Sequence, residues 1–282
     1  MTASSRIEVA RLAAFSSDPA GGNPAGVVLG AEGLSEAGML AIAAEVGYSE
    51  TAFLVELGPG RFGIRYFSPV AEVAFCGHAT IASAVRLAER SGTGVRTFVT
   101  PAGEIVVDTF RSARGIAASF ASVATHSAAA SADVVAETLA ALGWAESDLH
   151  SDWPAHVAFA GNDHLILAAA TRERLAALDY GFDSLLAIMT REGWTTVHVF
   201  WPEDDVTFHA RDPFPVGGVV EDPATGAAAA AFGGYLNALH GRADREFTIH
   251  QGADMGRPST LDVRTFADHD RVRVSGAAVV IR

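Results

Sequence analysis

The sequence predicts an α+β fold. Short strand-like runs dominate, and turns rich in Gly, Pro and Asn separate them. A few helical stretches lie between these runs, a mixture typical of strands that meander around a small number of helices. Two segments also repeat the order of polar loop, apolar helix, strand, turn and strand, which indicates a duplicated unit with two helix N-termini.

The first half contains six strand-like runs and one clear early helix. Ser35 is a candidate N-cap and Gly47 a candidate C-terminal stop, so Ser35 to Val46 is predicted to be helical. The strand-like runs are Ile7–Phe15, Ala25–Leu29, Thr51–Glu56, Phe62–Phe67, Arg96–Thr100 and Glu104–Phe110.

The second half follows a segment of small and polar residues, His126–Ala132. Helices are expected near Asp133–Leu142, between Thr171 and Glu192, and from about Gly226 to Leu239. Strands are expected near Val157 and over His164–Leu167, Thr196–Trp201 and Val206–Ala210. The boundary is placed between Arg111 and Ala132, which divides the chain into residues 1–115 and 116–282, with a last strand that can return to the first half.

Composition excludes several classes of protein. The chain has 282 residues and a net charge of -13, a field that repels nucleic acid. No run reaches the roughly 20 apolar residues of a membrane span, and the N-terminus has no charged start followed by a long apolar run. The single cysteine, Cys76, cannot form an internal disulfide. A cytoplasmic protein without nucleic-acid or membrane partners is expected.

All 20 basic residues are arginines. Without lysine, a pyridoxal-phosphate Schiff base and a P-loop are both unavailable. The glycine pair at 21 and 22, before Asn23 and Pro24, is not the GxGxxG of a dinucleotide fold. The sequence has no HExxH motif. The eight histidines other than His78 and His164 show no ligand pair spaced at i, i+4, so no metal site is predicted. A GxSxG elbow is also missing. We therefore expect catalysis without a cofactor, by carboxylates, histidines, hydroxyls, the thiol or backbone amides.

Glu50 and His78 are the first candidates for acid–base chemistry. Glu50 begins a strand that is apolar on both faces, where a partly desolvated carboxylate suits proton transfer. The alternative is a solvated glutamate at a strand end. His78 follows Cys76 and Gly77 at a loop-to-helix junction, and the side chain titrates near neutrality. Its alternative is a helix-start histidine bonded to a nearby carbonyl.

Cys76 and Asp222 have equally plain alternatives. A thiolate at a helix start is a possible nucleophile, but a lone cysteine in apolar surroundings is more often packed. Asp222 precedes Pro223 at the start of the second apolar helix and is either an N-cap or a cleft residue opposite Glu50.

Six short motifs together resemble the phenazine-biosynthesis PhzF-like family, in the same order and at similar spacing. The resemblance covers the chain from about Val9 to Ser275. The motifs are GNP at 22–24, YSETAF at 48–53, FCGHAT at 75–80, EDPATG at 221–226, QG at 251–252 and MGRPS at 255–259.

This resemblance implies a diaminopimelate-epimerase-like fold: two pseudo-symmetric halves, each a curled, mostly antiparallel sheet around a central helix, usually as a homodimer. It implies a cofactor-independent isomerase or epimerase that shifts a proton on a small carboxylate-bearing metabolite. Glu50 would carry the proton, and His78 and Asp222 would orient the substrate and complete the relay. The predicted substrate-binding residues are Ser49, Gly77, Gly226, Ala227 and Asn23.

Two departures bear on the substrate and the chemistry. Ala227 stands where the family often has a serine, so one hydroxyl for a substrate carboxylate is missing. Related epimerases use two cysteines as opposed bases, which a chain with Cys76 alone does not provide. Two other functions remain open: a non-catalytic small-molecule-binding or interaction protein, which would bind ligand without proton exchange, and a Cys76-dependent enzyme, which iodoacetamide would inactivate.

Overall fold

The computed structural model describes residues 7–282, which divide into two compact units. The first unit comprises the described residues up to Phe120 together with Ser275–Arg282, and the second comprises Ala121–Val274. Residues 1–6 lie outside the described residues. They are the start of the N-terminal segment for which the sequence predicts no leader. Within residues 7–282, none of the helices combines the length and apolar character of a bilayer-spanning segment.

The first unit alternates strands with two helices. Helix α1 begins and ends as predicted, since the Ser35 hydroxyl accepts a hydrogen bond from the Gly38 amide and Gly47 takes the left-handed conformation at φ 71°. In chain order the elements are β1 (Ala10–Ala14), β2 (Asn23–Leu29), α1 (Glu36–Val46), β3 (Glu50–Gly58), β4 (Arg61–Phe67), β5 (Glu72–Val73), α2 (Gly77–Ser91), β6 (Gly94–Thr100), β7 (Gly103–Ser112) and β8 (Gly115–Ala124), whose last residues belong to the second unit.

Helix α2 is the centre of the first unit. It packs against β1, β2, β3 and β7, and residues 78–85 are all buried. The strands pair mainly antiparallel, with β2–β3 and β4–β6 as parallel exceptions. A smaller apolar cluster beneath α1 joins Met39 to Val28, Phe53 and Phe67. The start of α2 is therefore held by a sheet that surrounds it on several sides.

The second unit follows the same plan with more helices. Its elements are β9 (His126–Ala129), α3 (Ala132–Leu142), β10 (His156–Phe159), β11 (Asp163–Ala168), α4 (Arg172–Ala176), α5 (Phe182–Glu192), β12 (Trp194–Pro202), β13 (Thr207–Pro213), β14 (Glu221–Asp222), α6 (Gly226–His240), β15 (Arg245–Gln251), β16 (Ser259–Thr265) and β17 (Arg271–Val280), whose end belongs to the first unit. Short 3₁₀ turns lie at Glu146–Asp148, Pro215–Gly217 and Ala253–Met255.

Helix α6 is the centre of the second unit and packs against β9, β10, β11 and β16. Its small residues permit close contact with the surrounding strands. A Cβ added to Gly233 would lie 2.9 Å from a methyl of Val272, and one added to Gly234 would lie 2.7 Å from Cβ of Thr125. Larger side chains at these positions would force the strands away from the helix.

The two units repeat one topology. In the first, β4 pairs antiparallel with β5 and parallel with β6, which pairs antiparallel with β7. In the second, β13 pairs in the same way with β14 and β15, and β15 with β16. Ion pairs join the corresponding strands, Arg65 to Glu72 and Arg211 to Glu221. The predicted fold class is confirmed: an α+β protein whose halves each place a central helix in a mostly antiparallel sheet.

Candidate active site

Glu50 is the first residue of β3 in the first unit. Its register partner is Ala25 of the parallel strand β2, and the four residues that follow it in β3 are buried. The Glu50 side chain itself is only 18% exposed. The carboxylate therefore stands at the end of an apolar strand with limited access to water, and not as a freely solvated strand-end glutamate.

His78, the second residue of α2, lies directly against this carboxylate. Its Nε2 atom is 3.3 Å from Oε2 of Glu50 and 3.4 Å from Oγ of Ser49. On the other side of the ring, Nδ1 is 3.2 Å from Nδ2 of Asn23. The alternative of an imidazole bonded to a neighbouring carbonyl is therefore wrong, because the ring contacts side chains from two strand regions.

Burial lowers the pKa of His78, and the neighbouring Glu50 charge opposes this shift only in part. The imidazole is therefore neutral near pH 7. When the Asn23 amide donates to Nδ1, the ring proton lies on Nε2, which faces the Glu50 carboxylate. A neutral donor at this position holds the carboxylate in place without neutralising it.

Cys76 completes this cluster. It is the N-cap residue of α2 and is buried, and its Sγ lies 3.4 Å from Nδ1 and 3.8 Å from Nε2 of His78. Thiol and imidazole therefore come within hydrogen-bonding reach at this helix start. The backbone at Cys76 is extended, with φ -144° and ψ 116°. Donor atoms of Glu50, Cys76 and His78 all lie within 4.8 Å of one another.

The turn before β2 fixes the position of Asn23. Gly22 has a φ of 66°, and a Cβ at this residue would lie 2.5 Å from the carbonyl oxygen of Ala14. Only glycine fits at position 22 of the GNP motif, because any side chain there would displace the backbone just before Asn23. The Asn23 side chain is buried and lies against His78.

In the second unit, Asp222 lies in the short strand β14 and is not the N-cap of α6. Thr225 is the N-cap residue, and its hydroxyl donates a hydrogen bond of 2.6 Å to Oδ2 of Asp222. Gln251 joins both ends of this loop: its amide donates to the Asp222 carbonyl at 2.7 Å and accepts from the Thr225 amide at 3.1 Å. The N-cap interpretation of Asp222 is wrong, and sequence reasoning gave no role to Thr225 or Gln251.

A buried ion pair anchors β14 on its other side. The Arg211 guanidinium donates to both carboxylate oxygens of Glu221. It also donates to the carbonyls of Ala176, the last residue of α4, and of Leu178 just beyond the helix. Burial raises the pKa of Glu221, and Arg211 opposes that shift. The hydrogen bonds from Arg211 thus fix the Glu221 side chain, and they restrict the backbone of the adjacent residue, Asp222.

Both central helices begin with the glycines predicted for substrate binding. Gly77 and Gly226 are the first residues of α2 and α6, and neither N-cap side chain accepts a hydrogen bond from its helix. Amides of a first helical turn have no intrahelical partner and favour an anion. Ser49 is exposed and Ala227 is partly buried. Each helix start therefore offers donors that suit a carboxylate.

Residues 12–282 match the PhzC–PhzF family, described as phenazine biosynthesis-like protein. The chain belongs to this family. An uncharacterised isomerase from Escherichia coli O157:H7, YddE, is 34% identical over 97% of this chain and 96% of its own length. The crystal structure of a PhzF-family protein from Bacillus anthracis has a TM-score of 0.89 at 25% identity and covers 98% of this chain and 97% of its own.

Among the relatives of this PhzF-family chain is a trans-2,3-dihydro-3-hydroxyanthranilate isomerase from Pseudomonas chlororaphis. It is 32% identical over 94% of each chain. The resemblance to the PhzF-like family is therefore confirmed. The Escherichia coli and Pseudomonas chlororaphis relatives are both named as isomerases. They match this chain over nearly its whole length.

Proposed function

We propose that this PhzF-family protein is a cofactor-independent isomerase or epimerase that moves a proton on a small carboxylate-bearing metabolite, with Glu50 as the base. One observation carries the proposal: a partly buried carboxylate lies 3.3 Å from a buried, neutral imidazole. Such a pair keeps a base and a hydrogen-bond donor ready in a site with little water.

In the proposed reaction, the Glu50 carboxylate abstracts a carbon-bound proton that a neighbouring conjugated system or carboxylate makes acidic. The electron pair of the C–H bond moves into that system, and the Glu50 carboxyl returns the proton to another position on the same face. His78 and helix-start amides stabilise the negative charge that develops on the substrate. No electrons or groups leave, so an isomer is the only product.

The remaining roles are those that the family resemblance implies, and the contacts of each side chain within its own unit support them. Asp222, fixed by Thr225 and Gln251, would orient the substrate and complete the proton relay. Gly77, Gly226, Ala227 and Ser49 would bind the substrate carboxylate. Asn23 was also predicted to bind substrate, and its buried amide supports a role exerted through His78. A homodimer and a cytoplasmic location belong to the same proposal.

Solvent deuterium uptake by candidate metabolites tests the proposal. Trans-2,3-dihydro-3-hydroxyanthranilate and other small conjugated carboxylates would be incubated in D₂O with the wild type and with Glu50→Gln. General-base catalysis contributes about 100- to 10,000-fold, so the variant should lose exchange by that factor. Glu56→Gln is the matched control, because Glu56 lies exposed on the same strand. Equal exchange by wild type and Glu50→Gln would remove Glu50 from the base role.

A second candidate function is a Cys76-dependent reaction, favoured by the contact of 3.4 Å between Sγ and Nδ1 of His78. The helix start and the imidazole would both favour a thiolate. Cys76→Ser distinguishes the two chemistries: it should retain most deuterium exchange if Glu50 is the base, and should lose it if the thiol is the reactive group. A metabolite that binds to both the wild type and Cys76→Ser but takes up no deuterium with either would indicate a binding protein instead.

A further inference from the structure

A cavity of about 500 Å³ lies in the first unit, between the last turn of α2 and the strands β2, β3, β4 and β6. Its volume falls within the range of about 300–1,000 Å³ that is usual for small-molecule sites. A helix rises about 1.5 Å per residue, which places Ser91 at the cavity about 20 Å from His78 at the other end of α2. The cavity is therefore separate from the proposed acid–base site.

The wall of this cavity combines apolar and charged side chains. Leu54 and Leu87 are buried, and Phe62 is partly buried. The charged side chains of the wall include two arginines and a glutamate, Arg90, Arg96 and Glu32. Such a wall suits a small ligand that has an apolar body and charged groups.

Arg96 is the buried cation of this wall, with 8% of the residue exposed. Its terminal nitrogens donate to four neutral oxygens: Oγ of Ser91, the carbonyls of Gly92 and Gly94, and Oγ1 of Thr109. In the described part of the chain, its Nε–H has no hydrogen-bond partner and no carboxylate lies within ion-pair distance of it. Burial lowers the pKa of Arg96, and no neighbouring charge opposes that shift.

A buried positive charge without a counter-ion is unfavourable. The negative end of the α2 dipole, at the Gly92 carbonyl, offsets only about half a charge. A carboxylate that enters the cavity supplies the rest, and the Nε–H of Arg96 is a donor for it.

Arg90 and Glu32 are exposed charges of the same wall. Arg90 lies in the last turn of α2 and forms no ion pair with any described residue. Oε1 of Glu32 accepts a hydrogen bond from the Glu56 amide at 3.3 Å, while Oε2 has no partner among the described residues. Charges of both signs therefore share one cavity and do not neutralise each other.

We propose that this cavity binds a small zwitterion with an apolar body, the chemistry of a free α-amino acid such as leucine or phenylalanine. Its carboxylate lies against Arg96 and Arg90, its ammonium group against Glu32, and its side chain against Leu54 and Leu87. The chain has a net charge of -13, which repels a simple anion but not a zwitterion without net charge. Binding does not depend on the proposed function, because the two sites share no residue.

Methyl NMR tests the site without any substrate. Protein labelled with ¹³C at its leucine methyl groups is titrated with unlabelled L-phenylalanine and, in a separate sample, with L-leucine, and signals are assigned from variants such as Leu54→Ile and Leu87→Ile. We expect at least one amino acid to shift the Leu54 and Leu87 signals, with a Kd of about 0.1–1 mM. Leu165, in the core of the second unit, should not shift. If neither amino acid shifts Leu54 or Leu87, the proposal is overturned.

Analogues that lack one charge test the requirement for a zwitterion. They are 3-phenylpropanoate and phenethylamine for phenylalanine, and 4-methylpentanoate and 3-methylbutylamine for leucine. Each should bind at least about tenfold more weakly than its amino acid, because it loses a hydrogen bond to a charged group. If the carboxylate analogue bound as tightly as the amino acid, Glu32 would have no part in binding. If the amine bound as tightly, the arginines would have none, and either result would contradict the proposal.

Variants of the charged wall locate the two ends of the ligand. Arg90→Gln and Glu32→Gln should each weaken amino-acid binding about tenfold. Arg111→Gln and Glu45→Gln remove the same charges from exposed positions of the same unit and should bind as the wild type does. Arg96→Gln should abolish binding, but Arg96 also holds the end of α2, so thermal unfolding checks its fold. The two exposed variants decide the assignment in any case, since wild-type affinity in Arg90→Gln or in Glu32→Gln would overturn it.

This site and the proposed isomerase fail separately. Glu50→Gln should bind the amino acid as the wild type does, because Glu50 lies beside His78 at the other end of α2. Loss of the Leu54 and Leu87 shifts in Glu50→Gln would place the ligand at the acid–base site and overturn the inference. Amino-acid binding at the cavity without deuterium exchange by any metabolite would support this site and remove the proposed function.

Discussion

Nδ2 of Asn23 lies 3.2 Å from Nδ1 of His78, and both side chains are buried. This contact joins the first residue of β2 to the first turn of α2 and fixes which ring nitrogen faces Glu50. The geometry of the proposed base therefore depends on a buried residue that belongs to a different strand.

Asn23→Ala should lower kcat for proton exchange about 100-fold, because a ring that loses its partner shifts away from Glu50. KM should change much less, since the substrate carboxylate is held elsewhere. Steady-state exchange kinetics measure both constants. Asn162→Ala, which removes an exposed amide between β10 and β11, is the control. If Asn23→Ala raised KM and left kcat unchanged, Asn23 would be assigned to substrate binding instead.

Thr225→Val should reduce kcat and also lower the free energy of unfolding by about 1–3 kcal/mol, because the lost hydroxyl accepts a buried hydrogen bond from the Gln251 amide at 3.0 Å. The substitution keeps the shape of the side chain but removes the hydroxyl that donates to Asp222 at 2.6 Å. Thr225→Ser restores that donor and should recover most of the activity. Exchange kinetics and thermal unfolding of the two variants provide the comparison. If both variants were equally active, the Thr225–Asp222 hydrogen bond would have no part in catalysis.

Gly252→Ala should destabilise the protein more than Gly256→Ala by about 1–3 kcal/mol in the free energy of unfolding. Both glycines have positive φ, so both substitutions carry the same backbone strain. Only at Gly252 would the new Cβ collide with backbone, at 2.4 Å from the Arg257 oxygen and 2.7 Å from the Pro223 oxygen. Urea unfolding measures the difference, and equal stabilities would contradict the steric explanation.

Acid should destabilise the second unit through His164. Its Nδ1 contacts the Thr196 hydroxyl, which donates to Asp212, and His198 also contacts Asp212, so all four groups form one buried network. Burial lowers the pKa of His164 to about 3, and His198 adds to that shift. As the pH falls, the unfolded chain, in which histidine has a pKa of about 6.5, therefore binds this proton before the folded chain does.

The stability that His164 contributes is complete above about pH 6.5 and is lost as the pH falls towards 3, with a slope of about 1.4 kcal/mol per pH unit. His164→Gln should reduce the loss between pH 7 and pH 5 by about 2 kcal/mol, whatever its own effect at pH 7. Urea unfolding at both pH values measures this. His269→Gln, on an exposed histidine, should leave the loss unchanged; an equal loss in His164→Gln would contradict the burial argument.

Local signals were enough for several elements. The cap pair Ser35 and Gly47 bounds α1 as expected, because capping acts within one helical turn. The apolar run after Glu50 forms a buried strand, because a strand apolar on both faces is stable only when both are covered. Strands β8 and β9 were not anticipated, since small residues give them little β-propensity and pairing with neighbours decides their conformation.

The sequence by itself determined which chemistry the chain can perform: lysine-dependent cofactors and internal disulfides are excluded, and a glutamate, a histidine and an aspartate stand in three motifs. Only the tertiary structure decided which side chains meet. The contact of Asn23 with His78 depends on how β2 packs against α2, and the hold of Gln251 on Asp222 depends on how β15 runs beside β13. Capping and periodicity act over a few residues, whereas these distances follow from strand register and helix packing, which no local pattern encodes.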